Sequence, residues 1–150
     1  MRILTSIAVI LIVFTAGLKA QIRLNGGNPV LSITTGFGGS QPIAVTNTST
    51  RVRFRRQNFI SKVTVSTRCP GQRFNLRVEA ISPTDGVAAP PVTLRDSQPA
   101  TDFITDIPKA PPTNNRTATL EYTASATFAQ GNSAELGNDV HRVTCTLTAQ

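Results

Sequence analysis

Residues 117–128 read TATLEYTASATF. Ala118, Leu120, Tyr122, Ala124, Ala126 and Phe128 take every second position, with Thr, Glu and Ser between them. A side-chain period of two belongs to a β-strand with one face on a core and the other in water. A helix would return its apolar residues every third or fourth position. The same alternation runs through residues 73–81, RFNLRVEAI, where Phe74, Leu76, Val78 and Ala80 oppose Arg73, Asn75, Arg77 and Glu79. It returns near the end of the chain, where Val143, Cys145 and Leu147 oppose Arg142, Thr144, Thr146 and Thr148.

Working outward, strands are expected at Val30–Thr35, Pro42–Thr46, Arg51–Arg55, Ile60–Thr67, Arg73–Ile81, Val92–Arg95, Phe103–Ile107, Thr117–Phe128 and Val140–Thr148. No segment sustains a helical period. The expectation is an all-β domain: an antiparallel β-sandwich of about seven to nine strands, immunoglobulin-like in the broad sense. The chain has no Trp to place against a disulfide, so relation to antibody domains does not follow. Cys69-Pro70-Gly71-Gln72 reads as a tight turn, expected to close a hairpin between the strands on either side. Ala129–Asp139 reads as a polar loop, and Ala88–Pro91 and Pro108–Asn115 as extended surface connections, because Pro cannot donate to a ladder. Asn25–Ser40 is Gly-rich and is expected to be partly flexible.

The first residues have the pattern of an export signal. Arg2 is charged, Ile3–Phe14 is apolar apart from Thr5 and Ser6, and a small residue, Ala20, precedes Gln21. Residues 1–20 are therefore expected to form a helical signal peptide, cleaved after Ala20. An Ala-Gln junction of this kind resembles bacterial export signals. The apolar run is shorter than the roughly 20 residues an uncleaved anchor needs. Cleavage leaves residues 21–150 as one domain of ordinary size, with no further membrane-spanning segment. The expected location is secreted, periplasmic or on the cell surface.

An exported chain with two cysteines, Cys69 and Cys145, is read as holding one disulfide. Both fall on the apolar phase of their strands. Closing so long a loop would stabilise the fold by roughly 4.5 kcal/mol in the chain-entropy account. No metal site is expected, since there is no Cys-x-x-Cys and His141 is the only histidine.

Charge divides the chain. Residues 21–78 hold nine bases and no acid; residues 79–150 hold eight acids against four bases. Arg51, Arg53 and Arg55 alternate with Val52 and Phe54, which places a row of guanidinium groups about 7 Å apart on one strand face. Arg56 follows directly. Such a row matches the oxygens of carboxylate, sulfate or phosphate groups, although charged strand faces also serve simply to block unwanted pairing. Nucleic acid is not the expected partner of an exported chain with a single Tyr and no Trp to stack bases.

No catalytic residue or cofactor is expected. Asp139 and His141 would share a strand face, but no Gly-x-Ser-x-Gly elbow accompanies them. Asp102 and Asp106 would stand roughly 13 Å apart on a strand, beyond the reach of a glycosidase pair. Asn47-Thr48-Ser49 and Asn115-Arg116-Thr117 match the glycosylation sequon, and Gly36-Phe37-Gly38-Gly39 reads as a turn rather than a phosphate loop. Three functions fit this sequence. The first is a structural or assembly module that associates with itself or with other surface proteins. The second is an adhesion or binding module for an anionic glycan or lipid head group through Arg51, Arg53, Arg55 and Arg56. The third, least supported, is a small hydrolase around His141.

Overall fold

The structure, a computed structural model, describes residues 5–11, 22–111, 115–131 and 133–150. Among these residues eleven strands form two sheets, more than the seven to nine expected, and the core lies between them. The strands are β1 (Thr5–Leu11), β2 (Ile22–Asn25), β3 (Val30–Ile33), β4 (Val45–Arg55), β5 (Ser61–Arg68), β6 (Asn75–Ile81), β7 (Val87–Ala88), β8 (Val92–Leu94), β9 (Thr101–Ile107), β10 (Asn115–Ser125) and β11 (Val140–Ala149). One sheet has the order β3-β1-β11-β5-β9-β7, the other β2-β4-β10-β6-β8. Every pairing is antiparallel except β1 with β11, which is parallel. The all-β sandwich read from alternation is thus the architecture of the chain, with β2 and β7 as additional short strands.

The alternating residues are the ones that meet in the core. Phe74, Leu76, Val78 and Ala80 of β6 and its approach, Leu120, Tyr122 and Ala124 of β10, and Val52 and Phe54 of β4 are buried from one sheet. Val63 and Val65 of β5, Phe103, Ile104 and Ile107 of β9, and Val143 and Cys145 of β11 are buried from the other. A completely buried Val, Leu, Ile or Phe side chain stabilises by about 1.5–3 kcal/mol relative to exposure, so this shared interior outweighs any single polar contact.

Several connections differ from expectation, each for a physical reason. Pro42–Thr46 and Arg51–Arg55 are not separate strands: Val45–Arg55 is one strand, paired along its length with β10. The alternation between them is broken by a bulge, where the register jumps from Leu120 opposite Thr50 to Tyr122 opposite Asn47. The Asn47 side chain accepts from the Ser49 backbone N–H at 2.9 Å there. The Cys69–Gln72 turn forms, with Gln72 N–H donating to the Cys69 carbonyl at 3.0 Å and Gly71 at φ 74°. It does not close a hairpin, because β5 and β6 belong to different sheets. The turn is a corner between the sheets. Its backbone donors are satisfied by carboxylates, Asp96 for Cys69 and Asp139 for Arg73 and Phe74, instead of a neighbouring strand. The Gly-rich segment 25–40 contains β3.

The largest departure is at the N-terminus. Thr5–Leu11, inside the segment expected to be a signal helix, is strand β1. Its backbone has partners on both sides, β3 and β11. Ile7, Val9 and Ile10 are β-branched, a composition suited to a strand when two edges are available. The rest of the proposed signal lies outside the described residues.

Tyr122 is fully buried and its hydroxyl has no hydrogen-bond partner among the described residues. A buried unsatisfied hydroxyl costs desolvation without return. Tyr122→Phe is therefore expected to leave stability unchanged or raise it by up to about 1 kcal/mol, read from the urea midpoint. A loss of more than that would show that the hydroxyl is bonded.

Candidate functional site

Two groups of residues stand out, one on the surface and one at the corner between the sheets. The surface group lies on the outer face of the five-stranded sheet. Arg51, Arg53 and Arg55 are exposed along β4, while Val52 and Phe54 between them are buried. The expected row is thus present. The structure adds Arg23 of β2, which lies directly opposite Arg53. On the far side of β4 the neighbours in register are Thr119, Thr117 and Asn115, all uncharged. Arg55 Nε donates to the Asn115 side chain at 3.3 Å. Among the described residues, Arg23, Arg51 and Arg53 form no ion pair. Like charges directly opposite each other on neighbouring strands destabilise a sheet unless a counter-charge lies over them. A second such pair, Arg68 opposite Arg142, is exposed on the other sheet. Sequence spacing alone does not reveal Arg23 or the Arg68–Arg142 pair, because both depend on strand neighbours far away in the chain.

Arg56 does not belong to the row. Its guanidinium forms a fork onto both oxygens of Asp85, and Arg116 Nε reaches the same carboxylate at 2.8 Å. The Asp85 side chain is only 9% exposed. The Arg56 hydrogen bond, helped by the charges of Arg56 and Arg116, holds the Asp85 carboxyl below its ordinary value despite burial. Arg56 thereby joins the loop before β7 to the end of β4, a structural role. Most acids of the second half are similarly engaged at home. Asp102 pairs with Lys62 at 2.7 Å, Glu79 with Arg77 at 3.2 Å, and Asp96 and Asp139 take backbone donors at the corner. Asp106 accepts from the Gln150 side chain at 3.0 Å. Asp102 and Asp106 therefore have separate partners and do not act as a pair.

The corner group corrects the reading of the cysteines. Cys69 and Cys145 are both buried and both free thiols. They do lie on the core side, but the register keeps them apart. Arg68 is opposite Arg142 and Val65 is opposite Cys145, so Cys69 follows the ladder next to His141. Cys145 is four residues further along, roughly 13 Å away at strand rise, whereas a disulfide needs Cα atoms within about 7 Å. The shared phase was legible in the sequence; the register was not.

Cys69, Asp139 and His141 have potential ligand atoms within 4.8 Å of one another, all three buried. A lone histidine and no Cys-x-x-Cys gave no hint of this grouping, which the corner creates. All three side chains are shut away from solvent. Burial, reinforced by the charges of Asp139 and Asp96, pushes the Cys69 thiol up to about 11. Burial lowers the His141 pKa, against the opposing pull of Asp139 and Asp96. A thiolate–imidazolium pair is thus disfavoured at both partners. Asp139 is already held by the N–H groups of Arg73 at 2.9 Å and Phe74 at 2.7 Å. Thr67 Oγ1 lies 3.5 Å from His141 Nδ1, and His141 Nε2 has no partner among the described residues.

Comparison with known proteins returns no matching family model and no significantly similar curated protein.

The corner generates two expected outcomes. Burial also pushes the Cys145 thiol up to about 12. Thiol titration at pH 8 should find both cysteines unreactive in the folded chain and both reactive in denaturant, whereas a disulfide would leave none in either state. The second concerns pH. His141 is neutral when folded, while in the unfolded chain it takes up a proton near pH 6.5. Its folded pKa is depressed, so the contribution is present above about pH 6.5 and is lost as pH falls below it. The urea midpoint should therefore drop between pH 7.5 and pH 5.5, and the slope should flatten in His141→Gln. Asp85 acts in a separate window, below the ordinary carboxylate range.

Proposed function

We propose that this chain is an exported, non-catalytic β-sandwich, immunoglobulin-like in the broad sense, that serves as a structural or assembly module of the cell surface or of an extracellular filament. One observation carries this reading. A segment of the proposed export signal, Thr5–Leu11, is an interior strand of the six-stranded sheet. Cleavage after Ala20 would leave residues 21–150 one strand short, so the sandwich is completed by association. The absence of catalytic function in this reading rests on the burial of the corner at Cys69, Asp139 and His141 and on the separate engagement of Asp102 and Asp106.

Attraction between a basic and an acidic half is not what holds such an assembly together, because most of the acids have partners within the same chain. The association should therefore resist salt. Sedimentation velocity on protein released from the native cell surface without denaturant should show a species larger than the monomer at both low and high salt. A monomer under both conditions contradicts the assembly reading.

A second reading has its own support in Arg23, Arg51, Arg53 and Arg55, a cationic face with one directly opposed Arg–Arg pair. This face suits an anionic glycan or lipid head group. Arg51→Gln, Arg53→Gln and Arg55→Gln combined should weaken retention on a sulfated-polysaccharide column and lower the salt needed for elution. Arg56→Gln should instead reduce stability and leave retention nearly unchanged. Equal retention of the triple variant and the wild type contradicts the cationic-face reading.

A further inference from the structure

The place between β3 and β11 seats one strand, and we infer that it is an acceptor slot. Thr5–Leu11 holds the slot in the precursor. After residues 1–20 leave, an extended segment of a different polypeptide, uncharged and apolar at alternate positions, takes the same place. The inference rests on the assembly reading above and names the chemistry of its partner.

The slot has two walls and a demanding register. Among the described residues, β3 has no hydrogen-bonded neighbour in the sheet other than β1, through Thr5 opposite Ile33 to Ala8 opposite Val30. β11 meets β1 in parallel from Ala8 opposite Val140 to Leu11 opposite Val143. The odd positions of the occupant fall in register with Ile33, Leu31, His141 and Val143, all of them buried. An occupant therefore needs uncharged residues at these positions, next to an apolar floor and a neutral imidazole. At the even positions the rim is mixed: Ala8 lies between the exposed Val30 and Val140, Ser6 lies opposite Ser32, and Ile10 lies opposite the exposed Arg142. Main-chain hydrogen bonds give such strand addition its affinity, and alternate side-chain positions give it specificity.

The sheet cannot easily close the gap by itself. One vacant strand position separates the walls by roughly 9.5 Å, twice the normal strand spacing. The approach to β3 is pinned: Gly26, at φ +108°, lies so close to the Ser49 backbone that a Cβ there would stand 2.1 Å from the Ser49 carbonyl oxygen. Beyond β3, Ile43 N–H donates to the Thr35 carbonyl at 2.9 Å. An open slot would leave two unpaired strand edges beside exposed core, which is unstable in water. The segments of this chain with suitable chemistry, such as Val30–Ile33 and Val63–Thr67, already lie within the sandwich. The occupant is therefore assigned to another polypeptide rather than to a second copy.

The test begins with the full chain carrying a specific protease site at the Ala20–Gln21 junction, cut after folding. The probe is a labelled TSIAVIL peptide with lysines at both ends. The N-terminal fragment should co-elute with the domain after cutting and exchange for the labelled peptide, while a peptide carrying Val9→Asp should not bind. In the uncut chain, Val9→Pro should lower amide-exchange protection of Leu31–Ile33 and Val140–Val143 by about tenfold or more, with β6 and β10 unaffected. The free peptide should restore that protection. Release of the fragment with unchanged protection in both strands would overturn the slot, and so would unchanged protection in Val9→Pro. Homomultimers that exclude the peptide would overturn the choice of occupant. The N-terminal mass of exported protein is a separate readout: retention of residues 1–20 defeats the processing step while leaving the slot measurements standing.

Discussion

The backbone of β3 and the first half of β11 find their partners in one and the same strand, Thr5–Leu11. Much else in the six-stranded sheet depends on that pairing. Without it Leu31 and Ile33 have no ladder to hold them over the core, and the edge next to His141 and Val143 faces water. Buried peptide groups must be paired, and apolar area removed from water is the largest favourable contribution to folding. If that segment is removed as an export signal, as proposed, folding is coupled to processing. The opposite sheet does not share this dependence. β2, β4, β10, β6 and β8 all come from residues downstream of Ala20, and this sheet carries Phe54, Leu76, Leu120 and Tyr122 into the core.

Electrostatics acts at a second level. The excess of bases in residues 21–78 does not become a uniformly positive half. Arg56 is neutralised by Asp85 in the loop before β7, Lys62 by Asp102 across strands, and Arg77 by Glu79 two residues on in its own strand. Among the described residues, the bases without an ion pair include a cationic face around Arg23 and Arg53, with Arg51 and Arg55 beside them, and the Arg68–Arg142 pair on the other sheet. Repulsion within such a face is screened by salt and relieved by a bound polyanion. The face lies on the sheet that does not contain the strand slot, so an anionic surface and a partner strand would engage opposite sides of the sandwich.

The sequence was most informative where a property is local. Alternation at 73–81, 117–128 and 140–148 identified strands and most of their buried faces, because a strand writes its two faces directly into neighbouring positions; Phe128 is the exception, exposed in a 3-10 turn after β10 ends at Ser125. Turn chemistry located the corner at Pro70-Gly71 but not its destination, since the same turn serves a hairpin or a crossing between sheets. The cysteines show the same limit. Their phase is local and was readable, while their register depends on how β5 meets β11. Arg23, Asp139 and Cys69 gained neighbours through long-range pairing that no spacing rule encodes. The N-terminal segment failed for a different reason: an uncharged run rich in Ile, Val and Leu suits an export helix and an interior strand equally well, and only the presence of two waiting edges decides between them.

The proposed coupling between processing and folding is tested most directly by a high-resolution structure of the protein isolated from its native source. The account predicts a strand between β3 and β11 that does not belong to residues 21–150 of the same chain. A native structure in which β3 pairs directly with β11 and no strand lies between them would contradict it.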